Sequence, residues 1–262
     1  MGLVAQRSIS VIFPAFNEEG NILQVVEQAM QCVTPLFSDW EVIVVDDGSH
    51  DRTGEIIDGL AEHHPRVRAF HHPSNRGYGV ALKSGIQRAS KELIFFCDAD
   101  RQFQLNELGR LLTWIEHYDI VIGYRTKRQD PWHRRLNAWG WNTLVRLLLG
   151  VQVRDINCAF KLFRSVVFRA VNIDAVGAMA NTDILVQATR LGFTIKEVPV
   201  THFPRRQGIP TGANIRVILK AFSELARLYR KLRTIRPMVV AYDRRPQSPG
   251  AVCRERGRSE RR

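Results

Sequence analysis

The sequence predicts an α/β protein: a mainly parallel sheet flanked by helices, with a basic amphipathic helix near the C-terminus. Three observations predict it. Short apolar runs alternate with stretches whose apolar residues recur at helical spacing, the pattern of crossovers that build a parallel sheet. Three of those runs end in polar loops, AFNEE, DDGSHD and DADRQ. In a parallel sheet such loops share the carboxyl edge, where open α/β sheets bind ligands. The run Leu93 to Cys97 (LIFFC) is short, aromatic and apolar throughout, which suits a strand buried on both faces.

Taken in order, Ser8 to Pro14 predicts a first buried strand, with AFNEEG as the loop at its end. Asn21 to Val33 carries a helical stripe through Ile22, Leu23, Val25, Val26, Ala29, Met30 and Val33. Trp40 to Val45 predicts the second strand, running into Asp46 and Asp47. Ser49 or Asp51 would cap the helix Arg52 to His63. Val67 to His71 is a weaker third strand, and NRGYG at 75–79 opens a helix to about Arg88. After LIFFC and DADRQ come a helix from about Leu105 to His117 and a strand, Ile120 to Gly123. Leu136 to Leu149 reads as a leucine-rich amphipathic helix, facing lipid or the core. Phe160 to Leu162 lies on a strand, and Lys161 within it reaches either phosphate or solvent. Ile195 to Thr201 is a β segment whose Pro199 argues for an edge. Ala213 to Arg233 carries one apolar stripe, Ile215 to Leu232, with Arg216, Lys220, Arg227 and Lys231 off it. That pattern suits a helix lying on an anionic membrane or one packed on the domain. From Tyr242 onward the chain is rich in Arg, Pro, Ser and Gly, the composition of disorder.

The chain has 262 residues, 45% of them hydrophobic and 24% charged, ordinary for a globular protein. Its net charge of +12 points to an anionic partner. Neither a dinucleotide-binding glycine motif nor a P-loop is present. Basic residues concentrate after Gly123 and in the tail rather than interleaving with aromatics along the folded part, so no nucleic-acid partner is expected. Cys32, Cys97, Cys158 and Cys253 show no metal-ligand spacing, and a reducing compartment suits them. No apolar run is long enough to span a membrane, and no secretory h-region is evident.

The chemistry gathers on the polar loops. Asp98 and Asp100, spaced i and i+2 where a strand leaves the core, can converge on one hard cation. Mg²⁺ or Mn²⁺ suits such oxygen ligands, with substrate phosphates completing the shell. By themselves they also read as a polar turn. Asp46 and Asp47 can accept hydrogen bonds from a base or ribose, with Gly48 permitting the turn, or they belong to a helix cap. Arg125, Lys127, Arg128, Arg134 and Arg135, with Trp132, Trp139 and Trp141 nearby, form a basic aromatic stretch. Arginine forks suit phosphate oxygens, and tryptophans beside arginines suit a membrane interface. Asp155 reads as an acceptor-site acid or a turn residue. Asp183 reads as a base, an acceptor-orienting group or a helix first-turn acid.

SVIFPAFNEEGNI, VVDDGSHDRT, NRGYGVALKSGI, FFCDADRQF, GYR, DINCAFKLF, NTDILVQA, EVPV and HFPRRQGIPTGAN, in this order and spacing, resemble the family 2 glycosyltransferases of the GT-A nucleotide-sugar fold. The resemblance is to the branch that makes dolichyl- or polyprenyl-phosphate mannose or glucose, and it covers roughly 8–232. It implies a glycosyltransferase domain over 1–232, with a nucleotide-sugar half at about 8–123, an acceptor half at about 124–232, and a basic tail at 233–262. It implies that Pro14, Ala15, Asn17 and Glu18 form the nucleotide-side loop and that Asp46 and Asp47 contact base and ribose. It implies that Asp98, Asp100 and Gln102 hold the metal and diphosphate. Arg125 and Arg134 or Arg135 match phosphate-contacting positions, and Arg205, with Arg206 as alternate, matches the arginine that closes over the diphosphate. Asp183 stands where relatives usually carry Glu, and Arg101 where they often carry Gly. The implied reaction is inverting, metal-dependent transfer of a hexose from UDP-glucose or GDP-mannose to polyprenyl phosphate, with Asp100, Asp183, Arg125 and Arg205 as catalytic residues. A glycan or glycolipid hydroxyl is the alternative acceptor. The implied location is the cytoplasmic face of the membrane, held peripherally by an anionic surface or a membrane-protein partner.

Overall fold

A computed structural model of the protein describes residues 7–126, 140, 143–177, 179–204 and 215–232. Seven strands form one sheet: β1 (Ser8–Ala15), β2 (Asp39–Asp46), β3 (Val67–His71), β4 (Leu93–Cys97), β5 (Ile120–Thr126), β6 (Phe160–Arg164) and β7 (Ile195–Thr201). Their order is β3-β2-β1-β4-β6-β5-β7. Every neighbouring pair is parallel except those made by β6, which lies antiparallel between β4 and β5. LIFFC is the middle strand of the seven and is buried at every position. β7 is an edge strand, so Pro199, which has no N–H for a further ladder, is tolerated there.

The crossovers are α1 (Ile22–Val33), α2 (Thr53–His63) and α3 (Tyr78–Arg88). The helix expected after DADRQ is shorter than its periodicity suggests. It begins as a 3₁₀ turn at Leu105–Glu107, continues as α4 (Leu108–Leu112) and relaxes into turns. α5 occupies 143–149, followed by α6 (Val167–Ala170), α7 (Ala180–Arg190) and α8 (Ile215–Leu232). Two apolar layers sandwich the sheet. One joins α1 and α4 to inward residues such as Phe13, Val44 and Phe95; the other joins α3 and α7 to Ile12, Ile43 and Phe96.

Leu225, Leu228 and Leu232 of α8 are buried in the second layer, while Arg227, Tyr229 and Arg230 face outward. Lys231 pairs with Asp174 at 2.6 Å. At this end Leu225, Leu228 and Leu232 form the contact with the domain, while Tyr229 is 40% exposed beside Arg227 and Arg230. On α5, Val145 and Leu149 are buried whereas Leu147 is 79% exposed. Among the described residues no helix is long and apolar enough to cross a membrane. The expectations for Lys127, Arg128, Arg134, Arg135, Trp132, Trp139, Trp141, Arg205, Arg206 and the tail from 233 lie outside the described residues.

Candidate active site

The register fixes which loops meet. β1 pairs with β2 so that Ala15 stands opposite Asp46, and with β4 so that Ile12 stands opposite Phe96. Parallel strands therefore deliver AFNEE, DDGSHD and DADRQ to one edge. The first two loops are laced together. Asn17 takes a left-handed φ of 54°, its backbone N–H donates to Ser49 Oγ at 2.9 Å, and its side-chain oxygen accepts from the His50 N–H at 2.8 Å. The Glu18 N–H donates to Thr53 Oγ1, and the Glu18 carboxylate accepts from Asn21. Pro14 and Ala15 end β1, and the Ala15 carbonyl accepts from the Asp47 N–H at 2.8 Å.

The paired acids of DDGS are separated by their surroundings. Asp46 accepts from the Ser49 N–H and faces His71 Nδ1 at 3.1 Å; the other His71 nitrogen faces Asp58 at 2.9 Å. Burial pulls the His71 pKa down, but hydrogen bonds to Asp46 and Asp58 outweigh it, and the net direction is up. Asp47 is buried more deeply. Its carboxylate meets His72 Nδ1 at 2.6 Å and accepts from the backbone N–H groups of Arg76 and Gly77 at 3.0 and 2.7 Å. His72 is in turn bound to Ser84 on α3. Asp47 thus ties the NRGYG turn to the sheet. His72 orients it, a role that no sequence pattern signals. Gly48 sits at φ 72°, and a Cβ there would lie 2.4 Å from the Ser74 carbonyl carbon. Only glycine fits this close pass.

Gly79 makes a second close pass, with its N–H donating to the Val176 carbonyl at 2.8 Å. A Cβ at Gly79 would lie 2.1 Å from the Ala175 carbonyl oxygen. Gly79→Ala is therefore expected to destabilise the fold by about 2 kcal/mol or more through overpacking against backbone. Chemical denaturation should show a lower midpoint with an unchanged slope.

Asp98 is half-buried and Asp100 is 8% exposed. The Asp98 carboxyl is pushed above the usual carboxylate range, first by burial and then by the charge of Asp100; Lys161 and Arg125 act in the opposite sense. Asp100 accepts from the Gln102 N–H at 3.1 Å. The Gln102 side chain donates to the Phe203 carbonyl at 2.9 Å, and the Phe203 N–H donates back to the Gln102 carbonyl at 2.8 Å. DADRQ is thereby clasped to the chain just before Arg205. Arg101 has φ 60°, a left-handed conformation that costs a non-glycine residue about 1–2 kcal/mol. Its guanidinium donates to Gln24 on α1 at 3.0 Å. This contact explains how an arginine is accommodated at a position whose backbone favours glycine.

Two further expected residues meet each other. Arg125, at the end of β5, donates Nε and one terminal nitrogen to the two Asp155 oxygens at 2.7 and 2.8 Å, a bidentate fork. Asp183 is 2% exposed and engaged by the N–H groups of Asp174 and Ala175 and by Gln187, with Lys231 at 3.8 Å. It lies two positions from Asn181 on α7, hence on a different helix face. Asn181 faces the sheet through Lys161, so Asp183 holds the 174–175 loop. Every donor engaged with Asp183 comes from that loop, α7 or α8.

Lys161, left open between phosphate and solvent, reaches neither: it is fully buried. Its ammonium donates to the Ile156 carbonyl at 3.1 Å, to Asn181 Oδ1 at 2.8 Å and to the Cys158 carbonyl. Burial lowers its pKa to about 8, while Cys158, Asp155 and Asp98 oppose that shift. The sequence signal was a lone lysine inside an apolar strand.

Two crowded carboxylates, with a Gln amide beside them, fit a divalent cation that shares its shell with substrate phosphates. Among the described residues no third His, Cys, Asp or Glu completes a cage around them.

A family model described as Glycosyl transferase family 2 matches residues 10–172. The polyprenol monophosphomannose synthase of Mycolicibacterium smegmatis is 34% identical over 226 residues, covering 80% of this chain and 83% of that protein. Glycosyltransferase AglD of Haloferax volcanii is 31% identical over 88% of this chain, which spans 38% of AglD. A dolichyl-phosphate beta-glucosyltransferase of Trichomonas vaginalis is 30% identical over 73% of this chain, which spans 64% of it. Among solved structures, glucosyl-3-phosphoglycerate synthase from Mycobacterium tuberculosis, in complex with Mn²⁺, UDP and glucosyl-3-phosphoglycerate, superposes with a TM-score of 0.63 at 22% identity. The match covers 87% of this chain and 78% of that one. At that identity the likeness shows the shared fold.

Proposed function

This chain belongs to glycosyl transferase family 2, and we propose that it transfers a hexose from a nucleotide sugar, UDP-glucose or GDP-mannose, to polyprenyl phosphate with inversion. The observation that carries the reading is the Asp98–Asp100 pair at the carboxyl end of the buried central strand, beside the two loops that present Asn17, Glu18 and Asp46. The relatives named for polyprenol and dolichyl phosphate supply the acceptor class.

Bound Mg²⁺ or Mn²⁺, held by Asp98 and Asp100 with Gln102 beside them, would supply a counter-charge for the diphosphate as it leaves. The chain's own residues do the rest. Asp46 offers its carboxylate to the nucleoside, while Asp47 and His72 hold the turn that flanks it. The Arg125 guanidinium, aligned by Asp155, gives the acceptor side a fixed positive group. Arg134 or Arg135 would add phosphate contacts there, and Arg205 or Arg206 would cover the diphosphate.

The phosphate acceptor needs no strong general base, because its nucleophilic oxygen is already ionised. Asp155 and Asp183, the acids considered for base or acceptor roles, are instead bound by Arg125 and by backbone donors. This favours a phosphate over a hydroxyl acceptor. The outward basic side of α8 and the exposed Leu147 of α5 support work at an anionic membrane surface. On this reading 1–232 is the catalytic domain, with the basic tail 233–262 outside it.

Labelled sugar from UDP-glucose and from GDP-mannose should be offered separately with polyprenyl phosphate and Mg²⁺ or Mn²⁺. A lipid-extractable product from one donor is expected. Donor turnover seen only with a glycan or glycolipid would overturn the phosphate acceptor.

A further inference from the structure

Beside Asp98 lies a buried polar group that the transfer reaction does not explain. Tyr78, in the NRGYG turn, opens α3 between two tight backbone passes at Gly77 and Gly79. Its hydroxyl oxygen is buried, and no hydrogen bond closes on it. The polar side chains that face it are Asp98 and Asn181. A buried hydroxyl left without a partner is costly, so the polar side chains facing it decide where it donates.

The direction of that arrangement follows from Lys161. An ammonium only donates, so Asn181 must present its carbonyl oxygen to Lys161 Nζ, at 2.8 Å. The amide nitrogen of Asn181 is then the end left for its other neighbour. Towards Tyr78 that nitrogen can only donate, so the phenol oxygen accepts and the phenol proton is left for Asp98. A phenol ordinarily ionises only at about pH 10, so at neutral pH the hydroxyl remains a donor. Charge at the far end polarises each member of such a chain.

We propose that Tyr78 is a positioning residue for Asp98: its hydroxyl, directed by Asn181 and Lys161, donates to the Asp98 carboxylate and sets the direction in which that carboxylate meets a divalent cation. The proposal rests on the reading of Asp98 as a cation ligand. Hydrogen bonds to ligating carboxylates commonly change metal affinity by about 10–100-fold when removed.

The test is direct Mn²⁺ binding, read as free Mn²⁺ by electron paramagnetic resonance. It uses the full chain with saturating UDP and, separately, GDP, comparing wild type, Tyr78→Phe and Asp98→Asn. Melting temperatures without metal are measured in parallel. Asp98→Asn should lose binding, and Tyr78→Phe should bind Mn²⁺ about tenfold more weakly while melting close to wild type. Unchanged Mn²⁺ affinity in Tyr78→Phe, whether or not its melting temperature falls, overturns the proposal and leaves the cation site standing. Absence of Mn²⁺ binding by the wild type with either nucleotide overturns the cation reading and the proposal together.

Discussion

Asp98→Asn is expected to lower sugar transfer by at least about two to three orders of magnitude, the range seen when one preorganised electrostatic contact to a developing charge is removed. The substitution keeps the shape of the side chain and removes its charge, so the cation loses an anionic ligand at the leaving diphosphate. A purely structural residue would lose activity and stability together, and here the two should part. The folded pKa of Asp98 lies above its unfolded value, because burial and the charge of Asp100 disfavour the carboxylate. Without metal, the folded state therefore holds the extra proton. Wild-type stability then falls as pH rises from the ordinary carboxylate range through the raised value. An asparagine side chain at this position carries no such penalty. The metal-free variant should accordingly melt at or above the wild-type temperature at neutral pH while transferring almost no sugar. Near-normal transfer, or a much lower melting temperature, would show that Asp98 is not the cation's ligand.

Lys161→Met is expected to cost about 3 kcal/mol of stability, since two carbonyls and the Asn181 side-chain oxygen lose a common buried donor. For a domain of this size that is a fall in melting temperature of about 6–12 °C. The pH dependence distinguishes this loss from a simple packing defect. The folded pKa of Lys161 is lowered to about 8 by burial. Between that pH and the ordinary lysine range the unfolded chain binds more protons than the folded one, so wild-type stability rises with pH. The methionine variant lacks the group, and its deficit relative to wild type should widen over that window. Denaturant melts of both proteins at pH values on either side of the window measure this. A deficit that stays constant would mean that Lys161 is not the buried cation described.

Much of the site was legible because it depends on local order. LIFFC followed at once by Asp98 and Asp100 specifies a buried strand and acids at its exit, whatever packs around it. The same holds for VIVV before Asp46 and for Pro199 on an edge strand. The end of the helix after Leu105 was less legible, because its residues fit helical spacing while Arg164 of β6 takes the carbonyls of Ile115 and Glu116 in the turns after Leu112. The basic helix from Ile215 was ambiguous, because an apolar stripe reads alike whether lipid or protein covers it. The burial of Leu225, Leu228 and Leu232 identifies protein as the cover at that end.

What the sequence by itself determined is the α/β alternation, the three loops sharing one edge and the paired acids of the central strand, all carried by residues within a few positions of one another. What only the tertiary structure decided is which polar groups face one another. β6 enters antiparallel beside β4, with Lys161 in register with Phe96, and buries that lysine beneath the acids. Asp47 turns inward to His72, Asp155 meets Arg125, and Asp183 turns to the 174–175 loop. A carboxylate's chemistry depends on which donors already occupy its oxygens. Those donors come from as far as 30 positions away in the chain, brought there by strand pairing and by helices crossing the sheet.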